Sequence, residues 1–127
     1  MREMEEKKKT KPERPYDLEE RTFLCAKEGR DFVKRLPKTP GNYEDGRQLI
    51  RSSGSVGANY IEANEAVSRK DFLLRIKTCR KEAKESAYWF RLLDTGETAE
   101  PEVVRTDLFS EARELMNIFA AILRKSA

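Results

Sequence analysis

Apolar residues recur along this chain at three- and four-residue steps, with polar residues between them. That is the period of helices buried on one face. The longest run is Phe72, Ile76, Cys79, Ala83, Ser86 or Ala87, Phe90 and Leu93. Ser68 precedes it as an N-cap, with Asp71 at the matching N3 position. Gly96 and Pro101 mark the stop and the loop beyond. An earlier stripe joins Leu18, Cys25, Ala26, Gly29, Phe32, Val33 and Leu36. It opens at Asp17, with Glu20 in capping-box spacing, and closes at Pro37 and Pro40. A second helix is expected from Asn42 or Tyr43 to about Ala66. A fourth is expected from about Glu102, carried by Val104, Leu108, Ala112, Leu115, Phe119, Ile122 and Leu123. No strand period competes. Four helices with short loops imply an all-α, antiparallel up-down-up-down four-helix bundle over residues 16–125. Residues 1–15 are nearly all charge and proline and read as a disordered tail. Its lysines Lys7, Lys8, Lys9 and Lys11 either touch an anion or only keep the chain soluble.

The second helix is the unusual one. Ser52, Ser53, Gly54, Ser55, Gly57 and Ala58 follow in near succession. A glycine inside a helix costs about 1 kcal/mol relative to alanine, so something must offset it. Close approach of another backbone does so, which makes Gly54 and Gly57 candidate close-packing positions. At about 100° per residue, Leu49, Val56, Tyr60 and Ala63 share one arc. Gln48, Arg51, Ser55, Asn59 and Glu62 line another, within about 80°. Arg51 and Glu62 lie about 16 Å apart along the axis, too far to pair with each other. The stripe is either a solvated face or a buried network whose partners come from another helix or another chain.

Composition narrows the chemistry. The 127 residues fit one domain, 39% of them charged and 38% hydrophobic. A core this modest favours self-association. No apolar run approaches the roughly 20 residues that span a bilayer, and the charged N-terminus carries no secretory signal, so a cytoplasmic location is the expectation. Cys25 and Cys79 sit within apolar patterns and read as buried thiols. The absence of histidine removes Glu-x-x-His metal pairs and Ser-His or Cys-His nucleophiles. Gly54-Ser55-Val56-Gly57 lacks the strand and lysine of a phosphate-binding loop. Glu62, Glu82 and Glu85 are read as members of a charge-paired structural network with the nearby cations rather than as metal ligands. No enzyme activity, metal or cofactor is expected.

Charge distribution is more informative than the net +3. Eight basic and three acidic residues fall between Arg69 and Arg91. Lys70, Lys77, Lys81 and Lys84 share one face opposite the apolar stripe, with Arg80 beside them. Such a face either attracts phosphates or is simply solvated. Tyr88 and Trp89 adjoin it, and offer either base stacking or, for Trp89, packing at a contact.

The segments YDLEERT (16–22), QLIRSSGSVGANYIEANEA (48–66), SRKDFLLRIK (68–77) and KEAKESAYWFRLL (81–93) resemble the 23S rRNA intervening-sequence protein family, also called the four helix bundle protein family. The most specific part is Arg51, Ser55, Asn59 and Glu62 in the second helix. The resemblance implies an antiparallel four-helix bundle, a homopentameric ring and no catalytic activity. Some members are encoded within insertions in large-subunit rRNA genes, and a related retroelement accessory protein binds nucleic acid and a reverse transcriptase. In a ring, Arg51, Asn59 and Glu62 are expected to meet Glu82, Glu85 or a basic residue across a helix or subunit boundary, which favours the buried network. The function expected is a non-enzymatic oligomer that contacts RNA or DNA through Lys70, Lys77, Arg80, Lys81 and Lys84. The alternative is a protein–protein scaffold or accessory subunit with no nucleic-acid affinity of its own.

Overall fold

Helix starts are set by side-chain oxygens that accept otherwise unpaired amides. Asp17 accepts from the Glu19 amide at 2.9 Å, Thr39 from Asn42 at 3.1 Å and Ser68 from Asp71 at 3.0 Å. The computed structural model describes residues 17–126. The expected tail, residues 1–15, lies outside the described residues. Four helices follow: α1 (Leu18–Lys34), α2 (Pro40–Asn64), α3 (Arg69–Leu92) and α4 (Ala99–Ser126). Among the described residues there is no strand.

Two helix starts differ from the sequence expectation, and α2 ends at Asn64 rather than about Ala66. Helix α2 starts at Pro40 rather than at Asn42 or Tyr43. Proline fits the first helical position, because its missing N–H has no partner there anyway. Helix α4 starts at Ala99, so Pro101 falls inside its first turn. The same reasoning makes that proline tolerable.

The four helices form a helical bundle with two apolar clusters. One holds Cys25, Val56, Ala63, Ile76, Cys79, Ala83, Leu115 and Phe119. The other holds Phe32, Leu36, Leu49, Ala87, Phe90, Leu93, Leu108 and Ala112. Small and polar residues lie between them. Ser52 and Ser86 are buried and share a 2.9 Å hydrogen bond that joins α2 to α3. Cys79 Sγ donates to the Val56 carbonyl at 3.4 Å across the same interface. Asn42, also buried, joins the two loops at one end: it donates to the carbonyls of Pro37 and Asp94 and accepts from the Asp94 amide.

The interface of α1 and α2 depends on glycine. A Cβ at Gly57 would stand 3.0 Å from Thr22 Oγ1 and 3.4 Å from its Cβ. One at Gly46 would stand 2.8 Å from Val33 Cγ1. These positions lie about 20° apart on the wheel of α2, so together they make one track for α1. Gly54 is different. Its nearest neighbour would be Arg30 Nη2 at 3.6 Å, ordinary contact, so the close packing expected there is not observed.

Helices α1 and α4 are joined by a buried ion pair. Arg21 donates to both carboxylate oxygens of Glu111, at 2.7 and 2.9 Å, and to Glu114 at 2.8 Å. The Glu111 side chain is fully buried and that of Arg21 is 13% exposed. Hydrogen bonding and the charge of Glu111 hold the Arg21 guanidinium above its ordinary pKa.

Interior glycines therefore sort into two kinds. At Gly29 a Cβ would stand 3.5 Å from Phe90 and 3.9 Å from Leu49, ordinary contact, so Gly29→Ala should raise stability by up to about 1 kcal/mol. Gly46→Ala should bring no such gain, because the stiff Val33 side chain is in the way. Thermal melts check this, with the double variant Val33→Ala/Gly46→Ala expected to recover stability relative to Val33→Ala.

Candidate nucleic-acid interface

Helix α3 is covered on one side by α2 and on the other by α4. Ile76, Cys79, Ala83, Ser86, Ala87 and Phe90 are turned inward and buried. What remains outward is mainly basic. Lys70, Lys77, Arg80, Lys81 and Lys84 are all exposed. None of the five forms an ion pair among the described residues.

The acids of α3 do not dilute this face. Asp71 lies 4.0 Å from Arg75, and Glu82 and Glu85 are turned sideways toward Arg51 of α2. Arg51 Nη1 reaches Glu82 at 3.5 Å, and Nη2 pairs with Glu85. Ser55 donates to Glu82 at 3.3 Å. Asn59 donates to Ser55 and accepts from Arg75 at 3.1 Å. The polar stripe of α2 thus finds its partners on the neighbouring helix. Its burial is only partial: the Arg51 side chain is half exposed and Glu82 is 14% exposed. Glu62 is exposed and takes no part in the network among the described residues. Burial works to lower the pKa of Arg51, but Glu82 and Glu85 outweigh it and the guanidinium is held above its ordinary value.

The two aromatics separate in role. Trp89 packs against the Phe32–Phe90 cluster and donates from Nε1 to Glu85 at 3.2 Å. Tyr88 is 53% exposed beside the lysines. Their rings meet edge to face at a centroid distance of 5.0 Å. Leu74 is exposed among the same lysines.

Both cysteines, Cys25 and Cys79, are buried. Burial pushes the Cys79 thiol up to about 12, so it stays protonated near neutral pH. Among the described residues no three carboxylate or thiol side chains are grouped to hold a metal ion. None of the described helices is long and apolar enough to cross a membrane. An open groove of about 440 Å³ runs between α1 and α2, lined by Phe23, Ala26, Gly57, Ala58 and Ile61 with Arg30 on its rim.

Sequence reasoning missed the Arg21–Glu111 pair and the track at Gly46. A signal for the first was available. Glu111 lies only about 40° from Leu115 on the α4 wheel, an acid next to the apolar stripe.

Comparison with known proteins adds a family. The family model for the 23S rRNA-intervening sequence protein matches residues 17–121. The chain is similar to the crystal structure of a protein of unknown function from the S23 ribosomal protein family of Bacteroides thetaiotaomicron. The two share 28% identity with a TM-score of 0.72, over 84% of this chain and 98% of that one. No curated protein matches.

The ion pairs differ in energetic weight. Glu111→Ala removes the main partner of a part-buried guanidinium that keeps Glu114, and should cost about 1.5–3 kcal/mol. Arg51→Ala, at a half-exposed network, should cost about 1 kcal/mol or less. Urea unfolding of the two variants measures both.

Proposed function

This chain belongs to the 23S rRNA-intervening sequence protein family, and from that premise we propose a non-enzymatic, oligomeric helical-bundle protein that binds RNA through the outer face of α3. The observation that carries this reading is that Lys70, Lys77, Arg80, Lys81 and Lys84 are exposed and form no ion pair among the described residues. Unpaired surface cations exchange their counterions for phosphates, and the released ions drive binding. Phosphate contacts of this kind fix position and carry no sequence information. The location proposed is the cytoplasm.

The topology proposed is an antiparallel up-down-up-down bundle. The order of contacts supports it. Asn42 meets Asp94, Arg51 meets Glu82 and Glu85, Val56 meets Cys79, and Asn59 meets Arg75. These steps rise along α2 and fall along α3. The assembly proposed is a homopentamer, the state the family resemblance implies. The groove between α1 and α2 supports self-association, because Phe23 and Ile61 are exposed beside it. The same groove favours a second reading, a scaffold whose protein partner holds the nucleic acid.

Titration with salt tests the RNA reading. With all five cations on single-stranded RNA, log K should fall against log salt with a slope of about −3.5. Lys77→Glu/Lys81→Glu/Lys84→Glu should abolish most of the affinity while the melting curve is unchanged, since all three are exposed. Affinity absent at low salt, or indifferent to this triple variant, contradicts the proposal. Specific co-purification of a protein without RNA binding supports the scaffold instead.

A further inference from the structure

Tyr88 stands at the C-terminal end of the lysine face, in line with it. On the wheel of α3 it falls at about the same angle as Lys70 and within about 40° of Lys77, Lys81 and Lys84. Lys84 is one turn before it, about 6 Å along the axis, and Lys81 about 10 Å. The ring is not a core residue: half of the side chain is open. Nor is it loose. Trp89 supports it edge to face at 5.0 Å, Trp89 is held by Glu85 through Nε1, and Glu85 is held in turn by Arg51.

An exposed aromatic that is braced from behind and flanked by ammonium groups with no ion pair among the described residues suits one ligand chemistry. We propose that Tyr88 is a stacking platform for an unpaired base, which makes single-stranded RNA rather than duplex the preferred ligand of the α3 face. The proposal rests on the RNA-binding reading and narrows it. A base lying on the ring leaves its own phosphate within reach of the flexible Lys84 stem, and the next phosphates run back toward Lys81 and Lys77. Paired bases inside an A-form duplex are covered on both faces by their neighbours, and only the two terminal pairs have a face to offer the ring. The body of the duplex therefore meets only the lysines.

The test compares an unstructured 12-nucleotide RNA with a 12-base-pair RNA duplex at low salt. Tyr88→Ala should weaken the single strand by about 5- to 150-fold and leave the duplex unchanged. Tyr88→Phe and Tyr88→Trp should retain the single-strand affinity, because the ring rather than the hydroxyl is used. Emission from Trp89, the only tryptophan, should change on adding single strand to the native protein and not to Tyr88→Ala. Single-strand affinity unchanged in Tyr88→Ala, or lost equally in Tyr88→Phe, overturns the platform. So does equal weakening of strand and duplex. If the lysine variants then still abolish binding, the RNA-binding reading stands without it. A native protein with no affinity for either RNA overturns both.

Discussion

Everything in this bundle is arranged around how closely α1 approaches α2. The approach is permitted at Gly57, where Thr22 occupies the space of a side chain, and at Gly46, where Val33 does. A serine- and glycine-rich segment is a poor helix on its own. Here it is one continuous helix from Pro40 to Asn64. What it lacks in propensity is offset by contact on both flanks: α1 on the glycine track, and α3 through Ser52 with Ser86 and Val56 with Cys79. Tertiary packing, rather than intrinsic preference, decides most helices in proteins.

That packing also decides where the charges go. With α2 and α4 covering its sides, α3 has only one direction left for its lysines. The acids of α3 are turned to Arg51 and Arg75, so they cancel cations at the flank rather than on the outer face. Charges inside the bundle are treated in the opposite way. Arg21 and Glu111 are matched atom for atom, as burial requires. The molecule thus pairs its buried charge, while among the described residues the five cations on the outer face of α3 form no ion pair and stay open to a polyanion.

Much of this was legible in the sequence, and the reasons are specific. The long periodic run of α3 and the caps at Asp17 and Ser68 announce themselves, because both depend on local spacing alone. Gly57 was legible because a mid-helix glycine asks for an explanation. Gly54 asked the same question, but it lies about 60° round from Gly57 and faces the groove instead of Thr22. Gly46 is not legible in this way, since a glycine near a helix start is ordinary and its partner Val33 is on another helix. The network around Arg51 was readable as a stripe. Its half-exposed state was not, because burial depends on how neighbouring helices tilt. Arg21 and Glu111, 90 positions apart, meet only once the bundle has formed.

Amide hydrogen exchange along α2 tests the central claim most directly. If close packing holds this segment helical, the amides from Ser52 to Asn59 should exchange as slowly as those of α3, through global unfolding alone. Fast exchange confined to Ser52–Asn59, while α3 stays protected, would show a locally frayed segment and contradict the account.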